Sequence, residues 1–163
     1  DVITGMLNVF DKHKNAGTVG ARLHFGNNTI QHNGVFMVVN TKKNYEVGVG
    51  HLNLNNYYNY YSGIRESFGN TGGLLMIRKN LFDNIGGFNE NYISCFEDVE
   101  LNIMTIVKGF KNYHNSDCVA YHYESQTRGK KIDQRDVTKI LGLIKSEEKI
   151  MKTLLQNEHK GWQ

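Results

Sequence analysis

Glu97-Asp98-Val99-Glu100 sets three carboxylates within four positions, directly after the apolar, cysteine-containing stretch that ends at Phe96. The spacing of Leu101, Met104 and Ile106 predicts a helix over 97–108, so these acids fall in its first turn. Acids there offset the positive end of the helix dipole, which accounts for them without any chemistry. The same place suits a general base, a carboxylate held near a cleft with its proton affinity set by neighbouring charge. Residues 97 and 98 diverge by about 100° on a helix, so only one can point straight into a site. That divergence disfavours a hydrolase using both, because a glycosidase pair must face one bond from about 5–10 Å apart.

Two further segments hold reactive groups. His122-Tyr123-Glu124-Ser125-Gln126-Thr127-Arg128-Gly129 combines an imidazole, hydroxyls and a guanidinium, which can gather around a phosphate or a metal or can form a solvated loop. Lys130 and Lys131 extend its positive charge. Gly69-Asn70-Thr71-Gly72-Gly73 precedes the apolar run Leu74–Ile77. Its glycines allow a ligand close to the backbone or make a tight turn. It is no phosphate loop, since it lacks Gly-Lys-Ser/Thr and stands before the strand rather than after it. His24, His32, His51 and His114 show no metal-ligand spacing and read as structural or solvent-facing, and Cys95 and Cys118 read as buried small hydrophobes.

The elements that must position these groups follow from hydrophobic spacing. Val2, Ile3, Met6, Leu7, Val9 and Phe10 recur at three and four, predicting a helix to about Asn15 with Gly17 as its cap. Thr18–Phe25 is a strand, Gly26-Asn27-Asn28-Thr29 a turn, and Gly34–Val39 the returning strand. Residues 40–69 are polar, with Tyr57, Tyr58, Tyr60 and Tyr61 among asparagines, and read as a long functional loop or irregular helix. Leu74–Ile77 is a buried strand, Leu81, Phe82 and Ile85 mark a short helix ended by Gly86-Gly87, and Val119–His122 is a short strand. An amphipathic helix runs from Gln134 to about Asn157. Its polar face carries both signs of charge, which favours packing on the domain over lying on lipid. Helices alternating with short strands indicate an α/β fold.

Composition bounds what such a fold can be. A chain of 163 residues, 39% hydrophobic with 18 aromatics, can bury one sizeable core. No window approaches the ~18 consecutive apolar residues that span a bilayer. Two cysteines cannot make a disulfide scaffold or a four-thiolate zinc site. A net charge of +3 is too weak to imply nucleic acid. The many asparagines and the absence of proline read as compositional bias rather than a physical demand.

The order of these segments is more specific than any one of them. Thr71-Gly72-Gly73-Leu74-Leu75-Met76-Ile77-Arg78-Lys79, then Ile85-Gly86-Gly87-Phe88-Asn89-Glu90, then Phe96-Glu97-Asp98-Val99-Glu100-Leu101, then Gly109-Phe110, then Tyr121 to Gly129 closely resembles family 2 glycosyltransferases of the GT-A fold. Val19–Leu23 and Thr29–Val35 are similar to a segment of members that build bacterial surface polysaccharides. The resemblance covers roughly residues 1–130. It implies a partial, Rossmann-like α/β fold with a truncated mixed sheet flanked by helices, the acceptor-side half of the catalytic domain, with 131–163 a helical extension packed on it.

By position, the resemblance makes Asp98 the base that deprotonates an acceptor hydroxyl, with inversion at the anomeric carbon. Thr71, Gly72, Gly73 and Glu97 would line the acceptor and donor-sugar pocket. Ser125 and Arg128 would bind the diphosphate, and His122 a divalent metal, Mn²⁺ or Mg²⁺, or the diphosphate. It further implies a nucleotide-sugar donor, a glycan or lipid-linked acceptor, and a cytoplasmic site, with the cytoplasmic face of the membrane as its natural setting. The family's nucleotide-binding half and its Asp-x-Asp metal motif belong upstream of Asp1, so the main metal carboxylates are expected there. The piece alone is expected not to transfer sugar and to self-associate through its truncated sheet edge. The competing reading is a non-catalytic module that holds glycan or a partner, which would have no need of Asp98.

Overall fold

The computed structural model describes residues 1–40, 46–123, 132–147 and 149–150. Their fold is mixed α/β, a mixed sheet flanked by helices, consistent with a partial Rossmann-like fold. Helix α1 (Val2–Lys12) is capped by Asp1, whose carboxylate accepts from Ile3 N at 3.0 Å and Thr4 Oγ1 at 2.8 Å. It ends three residues short of the expected Asn15, and Gly17 is not its cap. Ala16 and Gly17 instead open strand β1 (Ala16–His24), where pairing of Ala16 with Lys111 recruits the backbone.

Strand β1 is the centre of the sheet. It runs parallel to β7 (Lys111–Tyr121) on one side. On the other it pairs antiparallel with two short strands, β2 (Ile30–His32) and β6 (Leu75–Ile77). Strand β5 (Ile64–Glu66) adds antiparallel to the outside of β7. The expected return of 34–39 beside β1 is corrected: β2 makes that return, and β3 (Val35–Asn40) leaves to form a two-stranded ribbon with β4 (Glu46–His51). Strands β4 and β5 also break up what 40–69 suggested was one long loop. Leu74–Ile77 is half-buried rather than buried.

Two apolar clusters hold the layers. Met6, Val9 and Phe10 of α1 pack on Ala16, Val19 and Ala21 of β1 and on Tyr113 and Cys118 of β7. The second cluster joins Val35, Met37 and Phe68 to Val99 and Ile103 of α3 (Glu97–Val107) and to Ile140 and Ile144 of α4 (Gln134–Ser146). The expected continuation of the last helix through Met151, Leu154 and Leu155 lies outside the described residues. Gly109 closes α3 as expected, at φ +85°. Short α2 (Lys79–Asn84) follows β6 and precedes Gly86-Gly87. Among the described residues, no helix is long and apolar enough to cross a membrane.

Between α3 and the sheet the contact is polar. Thr18, Asn70, Asn102, Thr105 and Asn112 are all essentially buried. Thr18 Oγ1 donates to Asn102 Oδ1 at 2.6 Å, and Asn70 N donates to the same oxygen at 3.1 Å. Asn102 Nδ2 donates to the carbonyls of Asn70 at 2.7 Å and Asp98 at 2.6 Å. Asn112 Oδ1 accepts from Thr18 N and Thr105 Oγ1. The asparagines that read as compositional bias are therefore cross-links between four segments. They also explain why β7 is much longer than the expected Val119–His122. Its first half is buried through amides and imidazole, so no apolar alternation marks it. Asn102→Ala removes the acceptor of the Thr18 hydroxyl and of Asn70 N in a buried interior, so a loss of about 3–4 kcal/mol is expected. A lowered urea midpoint at unchanged m measures it, and a loss under about 1 kcal/mol contradicts the network's role.

Candidate functional site

Asn70 and Asn102, tied together, fix two places where chain chemistry is exposed. Asn70 leads into Thr71-Gly72-Gly73, with Thr71 half-buried and both glycines open to solvent. Asn102 lies one turn after Asp98, on the same face of α3. Asp98 Oδ2 accepts from Gly72 N at 2.7 Å, and its Oδ1 accepts from Val99 N at 2.8 Å. A carboxylate offers about four acceptor directions, so each oxygen keeps capacity for a further donor. Helix α3 begins with Phe96 in the left-handed region, φ +77°, without a side-chain cap. The acids of its first turn supply the charge that a cap would otherwise balance.

His122, at the end of β7, closes the other side. Its Nδ1 lies 3.0 Å from Gln31 Oε1 on β2. A Cβ added at Gly73 would sit 3.3 Å from His122 Cε1 and Nδ1, and one at Gly72 would sit 3.4 Å from Asp98 Cβ. Both glycines thus let the loop pass tightly between carboxylate and imidazole. Thr71, Gly72, Gly73, Asp98 and His122 lie around one loop. Glu97 stands one position round, on the α3 face of Glu100, Leu101 and Met104. Glu100, Leu101 and Met104 line a cleft of about 430 Å³ with Ile85–Glu90, a lining that includes neither Glu97 nor Asp98. There Glu100 accepts from Tyr92 OH at 2.6 Å and Asn89 Nδ2 at 3.0 Å. Burial first, then the Glu100 carboxylate, pushes the Tyr92 phenol well up. Ser125, Arg128, Lys130 and Lys131 lie outside the described residues.

Behind the loop stands a histidine cluster whose role the sequence did not reveal. His32 is fully buried, and its Nε2 takes long contacts from Gly34 N at 3.3 Å and Thr71 N at 3.4 Å. Its proton therefore sits on Nδ1, 2.8 Å from Nδ1 of exposed His51. Burial foremost, then His114, His51 and Arg65, holds His32 well below the usual imidazole range. His114, equally buried, places Nδ1 2.9 Å from Asn70 Oδ1 and Nε2 3.1 Å from Asn33 Oδ1. Burial, then Arg65 and Arg22, pushes it down to about 3.

Asp136 was equally hidden. From α4 its buried carboxylate accepts from Ile93 N, Ser94 N, Ser94 Oγ and Cys95 N, at 2.7 to 3.3 Å. Burial alone would raise its pKa, but these donors outweigh it and hold the carboxyl below the ordinary range. Asp136 so anchors the segment that delivers Asp98. Cys95 in that segment is half-buried, unlike the expectation, whereas Cys118 is buried as expected.

No family model matches the chain. It is 31% identical over 121 residues to a Sinorhizobium fredii protein named Uncharacterized protein y4gI, covering 69% of this chain. It is 25% identical over 113 residues, also 69% of this chain, to the O-antigen biosynthesis protein RfbC of Myxococcus xanthus. The chain spans only 12% and 9% of the length of these relatives.

Proposed function

We propose that this chain is the acceptor-side part of an inverting glycosyltransferase that takes a sugar from a nucleoside-diphosphate donor and works in bacterial surface-polysaccharide synthesis. The observation that carries the reading is the carboxylate of Asp98, oriented by Gly72 N–H at an open, glycine-lined surface beside His122. The name of the Myxococcus relative supports the biological setting.

In this reading Asp98 accepts the proton of an acceptor hydroxyl as that oxygen forms its bond to the anomeric carbon. The bond from that carbon to the diphosphate oxygen breaks, and the diphosphate leaves. Thr71, Gly72 and Gly73 bring backbone close to the reacting sugars, and Ser125 and Arg128 would hold the diphosphate, for which a guanidinium fork is suited. Glu97, on the neighbouring face, would shape the pocket's rim.

His122 fits a metal as a single ligand. Donation from Nδ1 to Gln31 Oε1 leaves Nε2 as the coordinating nitrogen. Among the described residues no group of three or more His, Cys, Asp or Glu could hold an ion, so Mn²⁺ or Mg²⁺ would take its carboxylates from elsewhere in the protein. When bound, the ion would neutralise charge on the leaving diphosphate. The site would operate at the cytoplasmic face of the membrane, on glycan or lipid-linked acceptors.

The test is release of nucleoside diphosphate by the full gene product containing this chain. UDP-, GDP- and dTDP-sugars would be supplied with a saccharide primer, with Mn²⁺, Mg²⁺ or EDTA. One donor consumed only with metal supports the reading; no release under any combination overturns it.

A further inference from the structure

We propose that Tyr57, Tyr58 and Tyr60 form a stacking surface for an uncharged oligosaccharide. Their side chains are 68%, 76% and 78% exposed, an aromatic patch left to water on one short stretch. From His51 to Gly63 the sequence holds no Asp, Glu, Lys or Arg, while Asn53, Asn55, Asn56 and Asn59 supply amides. Tyrosine faces cover the apolar C–H faces of a sugar ring, and hydroxyls and amides pair with its hydroxyls. The stretch itself carries no such charge, and the neighbouring Arg65 is turned onto the Tyr61 ring and the Asn33 carbonyl, so the chemistry favours a neutral polyol.

The surface is pre-organised. Ile30 N donates to Asn56 O at 2.7 Å and Asn55 N to Ile30 O at 2.8 Å, fastening the stretch to β2. Asn59 Oδ1 accepts from Asn33 Nδ2 at 2.8 Å and from Tyr61 N at 3.0 Å. Arg65 lies over the Tyr61 ring, 4.8 Å from its centre. Asn59 and Tyr61 are therefore the half-buried anchors, and the tyrosines between and before them are the ones presented. Anchoring lowers the ordering cost of binding. Asn33 adjoins His32, which contacts Thr71 N, so buried contacts link this stretch to the Asp98 loop. Its use as a subsite for the acceptor glycan rests on the transferase reading; saccharide binding itself does not.

The test uses the chain with ¹³C-labelled tyrosine rings, titrated with maltohexaose, chitohexaose and neutral mannan and rhamnan fragments, and with polygalacturonate as the charged comparator. At least one neutral glycan is expected to move the resonances of the three exposed rings, with affinity unchanged up to about 0.5 M salt. Replacing the three tyrosines by Ala should weaken binding about tenfold or more, and replacing them by Phe should change it less than about threefold. The amide spectrum checks that each variant is folded. No shift with any neutral glycan, binding that survives the Ala variant, or salt-sensitive binding of polygalacturonate alone would each overturn the proposal. Glycan binding without donor turnover by the full gene product would leave the surface standing and remove the transferase reading, and turnover without binding would do the reverse.

Discussion

Asp98→Asn is expected to lower sugar transfer by the full gene product about 10²–10⁴-fold, the usual span for losing a positioned general base. The substitution keeps an oxygen to accept from Gly72 N and Val99 N, so the loop geometry should survive. Donor affinity should stay within about twofold, because the lost interaction belongs to the transition state rather than to ground-state binding. Glu97→Gln should cost less than about tenfold, since Glu97 stands about 100° round α3 from Asp98. Equal losses for the two variants would mean that the acids act together by charge, and that Asp98 has no privileged role.

The second large effect is acid lability. His32 and His114 are buried neutral, with pKa values pushed well below 6.5 and to about 3. In the unfolded chain both take up a proton near pH 6.5, whereas the folded chain does not until far lower pH. The unfolded state then binds more protons, so stability is full above about pH 6.5 and falls as pH drops toward the folded pKa values. The two groups together lower stability by on the order of 2 kcal/mol between pH 7 and 5.5. That is a large part of an ordinary domain's stability. Urea unfolding at a series of pH values measures it. A flat profile contradicts the burial argument, and half the slope would mean that one of the two histidines is charged in the folded chain. Asp136, with its carboxyl held below the usual range, adds its own loss only at more acid pH, as the nest around it releases Ile93–Cys95.

What could be read from residues alone tracks what kind of group is buried. Helices α1, α3 and α4 carry hydrocarbon at helical spacing, so Met6, Val9 and Phe10 in the first, and Leu101, Met104 and Ile106 in the second, announce them. The Thr71-Gly72-Gly73 turn and the acidic first turn of α3 were legible because glycine marks a turn and clustered acids mark a helix start in the sequence itself. Strand β7 was half hidden, since Asn112, His114, Asn115 and Ser116 are buried through hydrogen bonds that have no periodic signature. Strands β4 and β5 were hidden by glycines and charges, Gly48 and Gly50 in one and Arg65 and Glu66 in the other. The Thr18–Asn70–Asn102–Asn112 network joins residues up to 94 positions apart, and Asp136 reaches Ile93 across 43. Only the folded chain brings such partners together. The neighbourhood of Asp98 and His122 was therefore expected from resemblance, while the amides and histidines that hold it were found in the structure.

A single carboxylate serving as base fits one back-side displacement at the anomeric carbon, which inverts it, whereas retention by double displacement needs a nucleophilic group on the opposite side. The anomeric configuration of the first product, read by ¹H NMR from an α-linked nucleotide-sugar donor, tests this most directly. The account expects a β-linked product formed by the wild-type protein. An α-linked product, or the same yield of β-linked product from Asp98→Asn, would contradict it.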